Sequence, residues 1–381
     1  MSDTKTLTKN DFLILDSLRG LAALYVMVAH SRGILWMGGQ VFLEKNPMVN
    51  WSFYEYFIFS VSLTTRLAVE FVILFFVLSG FSIAYSLRKG GQNKLFYLKR
   101  LIRIYPPYLT ALIWAGVVFV ITKSINPNFY EIDFKTLAFD RYLQMNDFFN
   151  PITIFKNLIY LPMEGFLTPF WSLSFEVIFY IIAPFILIRR KVYYIVSLIL
   201  FILGLAFEGM ILNLELPYLL REFVFNYNFF FMLGVLLFWN YDKINSLFKE
   251  LKKNYFILLI FFFLGLTYSI NIFNKMESKF SFLTASIFTM LLIIYFLKYS
   301  VQIKFLQKIG KYSYTLYITH VATIFLLHSL YFKFLNINPP HIENFWLFVP
   351  GVLLSLLVAF CLYYICEKQT KNWIGKIREK T

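Results

Sequence analysis

The first long apolar stretch of the chain carries two ionisable side chains that a simple membrane anchor would not need. Arg19 and His30 stand eleven residues apart in LDSLRGLAALYVMVAHSRG. This separation is about 20° past three full helical turns, so both side chains face one side of a helix, about 16.5 Å apart along its axis. A guanidinium binds anions, and an imidazole transfers protons near neutral pH. The alternative is structural: Arg19 extends to lipid headgroups and His30 packs between helices.

A second pair of guanidiniums precedes a double proline. Arg100 and Arg103 stand at positions i and i+3 before Pro106 and Pro107, so both lie on one face at the predicted start of a helix. Guanidinium groups bind phosphate through paired hydrogen bonds, which makes the pair a candidate phosphate site. Taken alone, the pair is more typical of basic anchors at the cytoplasmic surface of a membrane.

A carboxylate, Glu176, lies in the apolar stretch TPFWSLSFEVIFYIIAP, where Thr168 and Pro169 predict the helix N-terminus. Glu176 would then lie about two turns into the membrane, at about the depth of His30. A buried carboxylate needs a partner, and a histidine is a suitable one because the carboxylate fixes its tautomer and raises its basicity. We therefore predict a His30–Glu176 pair. Trp171 and Tyr180 flank Glu176 and are further candidate site residues.

Three further polar residues within apolar stretches are weighed against packing roles. His320 falls near the middle of its stretch and is a candidate site residue, whereas His328 near the outer edge is assigned a structural role. Ser79, beside Gly80 in FFVLSGF, is either a site residue or part of a small-residue break for close helix packing. The histidines show no HxxxH or HxxE spacing, and the cysteines lie far from them, so we predict no metal site.

Composition places these residues in a membrane. Hydrophobic residues make up 59% of the 381 and charged residues only 15%, which excludes soluble, disordered and coiled-coil proteins. The two cysteines, Cys361 and Cys366, do not suit a disulfide scaffold, and we interpret them as small core residues. We predict an all-α, polytopic integral membrane protein with about ten helices. The predicted spans are 13–35, 67–87, 102–122, 170–188, 192–209, 217–239, 255–273, 280–297, 312–332 and 345–366.

The distribution of basic residues predicts the orientation of these spans. With the N-terminus in the cytoplasm, the cytoplasmic segments hold 23 of the 36 Lys and Arg residues and the outer segments hold 9. This bias predicts that both termini are cytoplasmic. The net charge of +15 is therefore a topology signal, and nucleic acid is not a predicted partner. Residues 1–381 are interpreted as a single transmembrane domain with an outer loop over 123–169, no appended soluble domain and no cleaved signal peptide.

Five of these segments, in this order along about residues 11–370, resemble the acyltransferase-3 family of bacterial membrane acyltransferases, which includes surface-glycan O-acetyltransferases. The resemblance implies transfer of an acyl group, with acetyl as the family default, from cytoplasmic acyl-CoA to a hydroxyl of an extracytoplasmic glycan. The five segments are LDSLRGLAAL with the Arg19–His30 spacing, FFVLSGF (75–81), RLIRIYPPY (100–108), FWSLSFEVIFY (170–180) and GKYSYTLYITH (310–320).

The resemblance also implies roles for residues and a location. His30 would be the central catalytic residue, with Glu176 and His320 also in the site; the acyl-CoA-binding residues would be Arg19, Arg100 and Arg103. The protein would lie in the bacterial cytoplasmic membrane and use acyl-CoA as co-substrate without a bound cofactor. Its other partners would be a glycan or lipid-linked glycan and membrane lipids. The chain departs from the family pattern in three places: Ser17 replaces a common Gly, Glu70 lies further from FFVLSGF than the usual acid, and Glu367 is followed by Lys and Gln instead of a common proline. No role is carried onto Glu70.

The spacing of the basic residues and His30 suits this donor. Acyl-CoA has phosphates at one end and a thioester at the other, which matches guanidiniums at the inner face and His30 about 16.5 Å further along. His30 would act either as general base on the sugar hydroxyl, oriented by Glu176, or as the nucleophile of an acyl-histidine intermediate. The alternative function is a proton-coupled transporter of a small anionic metabolite, since buried Arg, His and Glu suit a transporter as well.

Overall fold

The protein is described by a computed structural model that covers residues 8–88, 94–127, 129, 148–161, 165–273, 279–335 and 343–379. These residues form α-helices, short 3₁₀ turns and two π-helical segments, and none of them is in a β-strand. The α-helices are α1 Lys9–Ile34, α2 Gly39–Lys45, α3 Phe53–Thr64, α4 Ala68–Arg88, α5 Lys94–Ile125, α6 Pro151–Leu158, α7 Trp171–Ile186, α8 Arg190–Ala206, α9 Glu208–Leu212, α10 Tyr218–Glu222, α11 Asn228–Trp239, α12 Tyr241–Leu247, α13 Lys253–Phe273, α14 Lys279–Lys298, α15 Lys304–Lys311, α16 Ser313–Phe334, α17 Phe348–Leu362 and α18 Lys368–Glu379.

Nine helical segments of the described chain are long and apolar enough to cross a membrane. One of them, Leu167–Ala206, has 40 residues, twice the about 20 that one crossing needs. A 3₁₀ turn over Leu187–Arg189 and the non-helical backbone of Arg189 divide this segment into α7 and α8. These two helices correspond to the predicted spans 170–188 and 192–209, so the prediction of an all-α protein with about ten spans is confirmed.

The structure corrects several details of the predicted elements. α5 begins at Lys94, so Arg100 and Arg103 lie in its second and third turns, and Pro106 and Pro107 lie inside the helix. Thr168 and Pro169 belong to a 3₁₀ turn, and α7 begins after them, so the predicted cap is wrong. The sequence analysis also missed the short helices α2 and α3. Cys361 is exposed and Cys366 half-buried, so neither is a core residue.

The chain divides into two compact units. The first unit comprises Met1–Ala22, Val69–Arg100 and Ser172–Lys311. Within it, Gly80 and Gly234 let α4 and α11 cross at backbone contact, because a Cβ on either residue would overlap a backbone oxygen of the other helix. Stacked rings hold α7 against α11, with Phe179 and Phe231 at 4.5 Å between centroids. These contacts fix α4 and α7, the two helices that carry Ser79 and Glu176.

The second unit comprises Ala23–Ala68, Leu101–Trp171 and Tyr312–Thr381. Its centre is α16, which packs along α17 and carries fifteen buried residues. Tyr314 and Trp114 tie α16 to α5: the Tyr314 hydroxyl donates to the Ile104 carbonyl (3.0 Å) and Trp114 Nε1 donates to Thr323 Oγ1 (3.0 Å). These contacts fix the helix that carries His320. Part of the predicted outer loop, including 130–147, lies outside the described residues.

Candidate active site

Two buried histidines from distant parts of the chain meet in the second unit. His30 Nδ1 lies 2.8 Å from His320 Nε2, and the two rings stack with centroids 5.0 Å apart. His30 is 6% exposed and His320 is fully buried. The two predicted site residues are therefore in direct hydrogen-bond contact, a pairing that the sequence analysis did not anticipate.

The hydrogen bonds of His320 determine which nitrogens carry protons when both rings are neutral. His320 Nδ1 lies 3.1 Å from the carbonyl oxygen of Leu316, which can only accept, so this nitrogen is the donor. His320 Nε2 is then an acceptor and His30 Nδ1 donates to it. It follows that Nε2 of His30 carries the lone pair, the state required of a general base.

Packing holds both rings in place. On α1, the residue after His30 anchors the helix to α17, because Ser31 Oγ donates to the Phe348 carbonyl at 2.7 Å. Gly351 of α17 lies against Ser31, so the two helices approach closely at this level. On α16, Tyr317 stands beside His320 with ring centroids 5.9 Å apart, and its hydroxyl donates to the Pro169 carbonyl at 2.9 Å.

A second cluster, in the first unit, surrounds Glu176. Ser79 Oγ donates to Glu176 Oε1 at 2.9 Å, and the Tyr180 hydroxyl, one turn along α7, donates to the same oxygen. The Arg100 guanidinium carbon lies 5.4 Å from the centroid of the Tyr180 ring, within cation–π distance. The structure thus brings four of the predicted site residues, Ser79, Arg100, Glu176 and Tyr180, into one cluster.

Arg19 contacts the same face of α4. Its Nη2 donates to Ser82 Oγ at 2.6 Å, and its Nη1 forms an ion pair with Asp16 at 3.0 Å. Ser82 donates its own hydrogen to the Leu78 carbonyl, so its oxygen is an acceptor for Arg19. Ser82 and Ser79 are three residues apart on α4, and one helix face therefore contacts both Arg19 and Glu176.

Arg103 and Trp171 belong to the second unit. Arg103 is exposed on α5, and Trp171 is half-buried at the first position of α7. Because His30 lies in the second unit and Glu176 in the first, the predicted His30–Glu176 pair stays a prediction. The contacts of Glu176 described above are to hydroxyl groups rather than to an imidazole.

The sequence analysis missed Ser82 and Asp16 as partners of Arg19. A signal for each was present, since Asp16 precedes Arg19 by three residues and Ser82 follows Ser79 by three, spacings that place side chains together on a helix. No group of three or more His, Cys, Asp or Glu in the described ranges is arranged to hold a metal ion. His341, the fourth histidine of the sequence, lies outside those ranges.

Comparison with known proteins places the chain that carries these two clusters in a family. The acyltransferase-3 profile, described as an acyltransferase domain, matches residues 12–364. A curated relative, acyltransferase MdmB of Streptomyces mycarofaciens, is 34% identical over 121 residues. That match covers 32% of this chain and 28% of the relative, so the chain aligns with less than a third of that protein's length. No solved structure gives a significant match.

Proposed function

Because the chain belongs to the acyltransferase-3 family of membrane acyltransferases, we propose that it moves an acyl group from cytoplasmic acyl-CoA to a hydroxyl of an extracytoplasmic glycan. The proposed location is the bacterial cytoplasmic membrane and the proposed acyl group is acetyl. Acyl-CoA acts as co-substrate, and the reaction as proposed uses no resident cofactor. The observation that carries the proposal is the buried His30–His320 pair, whose hydrogen bonds leave a basic nitrogen on His30.

In the proposed reaction, His30 Nε2 takes the proton of the acceptor hydroxyl as its oxygen attacks the thioester carbonyl carbon. The tetrahedral intermediate collapses to the ester and releases the CoA sulfur, which receives the proton back from the imidazolium. His320 Nδ1 stays protonated throughout and donates to the Leu316 carbonyl. Its Nε2 therefore accepts from His30 Nδ1 in both protonation states of His30. His320 is thus a positioning residue that holds one tautomer of the base.

The same nitrogen supports the second route left open above. His30 Nε2 could attack the thioester itself, which forms an acyl-histidine and releases CoA before the acceptor arrives. The two routes differ in kinetics: an acyl-enzyme gives a burst of CoA release without acceptor, whereas the general-base route gives none.

We assign the donor phosphates to the guanidiniums of Arg19, Arg100 and Arg103. In the first unit, Arg19 is held by Asp16 and Ser82, and Arg100 stacks on Tyr180. A guanidinium that is already oriented loses less side-chain entropy when it binds phosphate. Glu176, Ser79 and Tyr180 support this role because their hydrogen bonds fix the ring on which Arg100 rests.

The test is transfer of radiolabelled acetyl-CoA to surface glycan by the purified protein in vesicles. Wild-type protein is expected to form an alkali-labile glycan ester, and His30→Ala to form none while still binding acetyl-CoA. An active His30→Ala variant would refute the assignment of the base. Uptake of a small anion by the same vesicles without ester formation would instead support the transporter, for which family membership offers no support.

A further inference from the structure

A polar cavity in the second unit plays no part in the reaction as described so far. Its volume is about 650 Å³, within the range of about 300–1,000 Å³ typical of small-molecule sites. It lies between α2, α3 and the segment that leads into α17. The side chains that line it include the polar and amphipathic residues Lys45, Asn46, Tyr54, Glu55, Glu343 and Trp346.

The lining of this cavity combines aromatic faces with hydrogen-bonding groups. Trp346 is 45% exposed and Tyr54 48%, and Trp346 Nε1 donates to the Tyr54 hydroxyl at 3.2 Å, which couples the two rings. Glu55 and Asn46 provide a carboxylate and an amide beside them. A sugar ring presents C–H bonds on its face and hydroxyls around its edge, so it matches an aromatic surface bordered by carboxylate and amide groups.

The charge of the lining argues against a phosphate ligand. Lys45 Nζ is 2.6 Å from Glu343 Oε1, so the cationic side chain of the cavity already has a carboxylate partner. With Glu55 added, the three charged side chains sum to one negative charge. Carboxylates repel a nucleotide phosphate and accept hydrogen bonds from hydroxyls, which favours a saccharide without phosphate groups over acyl-CoA.

The cavity also lies at the end of the helix that carries the proposed base. Met37, in its wall, is seven residues after His30 and three residues beyond Ile34, the last residue of α1. Between them, Trp36 is 1% exposed and packs on Phe42 and Phe345 at 5.5 and 5.2 Å between centroids. Both of these rings line the cavity, so its inner wall is a packed aromatic cluster fixed to the end of α1.

We propose that this cavity is an acceptor site that binds a saccharide unit of the glycan, next to the unit that is acylated. The inference rests on the proposed function for its role, but saccharide binding is measurable without any acyl donor. Trp346 and Tyr54 contact the face of the sugar, and Glu55 and Asn46 bind its hydroxyls.

The experiment is saturation-transfer NMR of the protein in nanodiscs with four methyl glycosides: a hexose, a 6-deoxyhexose, an N-acetylhexosamine and a hexuronate. At least one neutral glycoside is expected to bind wild-type protein, and the hexuronate to bind more weakly because of the carboxylates. Trp346→Ala and Glu55→Gln should each weaken the Kd about tenfold or more, a change typical of losing one good contact. Trp346→Phe retains an aromatic face and should bind nearly as well as wild-type protein.

Trp373→Ala is the matched control, because Trp373 is an equally exposed tryptophan (49%) on α18 of the same unit. Unchanged glycoside binding in both Trp346→Ala and Glu55→Gln would overturn the acceptor site, as would a wild-type protein that binds none of the four glycosides. Failure of the proposed function has a different signature, since glycosides would then bind and depend on Trp346 while no acyl group moves from acetyl-CoA.

Discussion

At the scale of single residues, His320 differs from the carboxylate that usually orients a catalytic histidine. Its Nε2 accepts the hydrogen bond from His30 without adding a negative charge. It can therefore fix the tautomer of His30, but it stabilises the imidazolium less than a carboxylate would. Both rings are buried, and two neutral imidazoles are less costly to place within a membrane than an ion pair.

His320→Leu removes the acceptor for His30 Nδ1, and we expect kcat to fall by about 10²–10⁴-fold, the usual contribution of a positioned acid or base. His320→Gln retains an acceptor oxygen and should recover part of this loss. The measurement is the kcat and the KM for acetyl-CoA, with KM expected to change little. His328→Leu is the control, because His328 is also buried on α16 and packs on Phe129 and Phe325 instead. Equal losses in the Leu variants of His320 and His328 would contradict the positioning role.

Arg19→Ala and Arg103→Ala should weaken acyl-CoA binding, because each removes a phosphate-binding guanidinium. Each charged hydrogen bond contributes about 1.5–3 kcal/mol, or roughly 10- to 150-fold in Kd. The lysine variants should recover only part of the affinity, since paired hydrogen bonds are lost. Calorimetry with a non-hydrolysable acyl-CoA tests this. Arg190→Ala is the control, because the Arg190 guanidinium stacks on Trp239 at 3.7 Å from the ring centroid. If Arg19→Ala and Arg103→Ala bind acyl-CoA with the same Kd as Arg190→Ala, Arg19 and Arg103 are membrane anchors only.

Two roles of Glu176 make different predictions. If Glu176 orients His30, Glu176→Gln should lower the rate of transfer. The variant with both Glu176→Gln and His30→Ala should then be little slower than His30→Ala alone, because the effects of residues that act as a unit are non-additive. If Glu176 instead holds the Tyr180 ring beside Arg100, Glu176→Gln and Tyr180→Phe should both weaken acyl-CoA affinity, because each alters the hydrogen bond that fixes the ring, and Tyr180→Leu should weaken it further because the ring itself is lost. Turnover of labelled acetyl-CoA and donor affinity, measured on the same variants, separate the two roles.

At the scale of elements, the crossing of α4 and α11 positions the cluster around Glu176. Ser79, the donor to Glu176, is adjacent to Gly80, whose missing side chain allows the backbone of α11 to approach. The sequence motif FFVLSGF left open whether these two small residues served the site or the packing of helices. The structure supports a separate task for each residue, with Ser79 in the hydrogen-bond cluster and Gly80 at the crossing.

Gly80→Ala and Gly234→Ala are expected to destabilise the protein, because the added methyl group meets a backbone oxygen that cannot rotate away. Overpacking of this kind costs about 1–3 kcal/mol or more, and a shift of α4 would also separate Ser79 from Glu176. Thermal unfolding in detergent should show a lower Tm for both. Gly265→Ala is the control, since a Cβ there has no atom within 4 Å; its Tm should be unchanged or slightly raised. A comparable drop for Gly265→Ala would mean that the crossing has no special role.

The sequence predicts the long apolar helices well, because a membrane span is specified by its length and composition alone. It predicts their ends poorly. The predicted third span starts at 102, a few residues before Pro106 and Pro107, whereas α5 begins at Lys94 and continues through both prolines, which membrane helices tolerate. Near these prolines α5 is also contacted by α16, because the hydroxyl of Tyr314 donates to the Ile104 carbonyl. Such a contact depends on another helix, and local sequence patterns contain no information about it.

At the scale of the whole molecule, the prediction of about ten spans holds because each span is identified from the hydropathy of its own stretch of sequence. The partner of His30 could not be obtained in the same way. Depth estimates on separate helices favoured Glu176, and only the packing of α1 and α16 brings His320 to 2.8 Å. Depth in a membrane restricts the candidates, but the rotation and neighbours of each helix decide which of them meet.

The predicted orientation can be tested on residues with known exposure. In a background with Cys361 and Cys366 replaced by alanine, Lys156→Cys should react with an impermeant maleimide added to intact cells, and Lys249→Cys should not. The positive-inside bias is the reason, since Lys249 lies in a segment assigned to the cytoplasm. Permeabilised cells supply the control, because both cysteines should then react. Labelling of Lys249→Cys in intact cells would reverse the topology and place the donor on the wrong side.

The contact between His30 and His320 spans 290 residues of chain, and this separation has a consequence for biosynthesis. At translation rates of about 5–20 residues per second, His320 is made roughly 15–60 s after His30. Throughout that interval the ribosome-bound chain already contains the first helix but lacks the ring that fixes the tautomer of its histidine. A nascent or truncated chain that ends before α16 therefore lacks the contact that positions the proposed base, and the proposed transfer is expected only after α16 has been made.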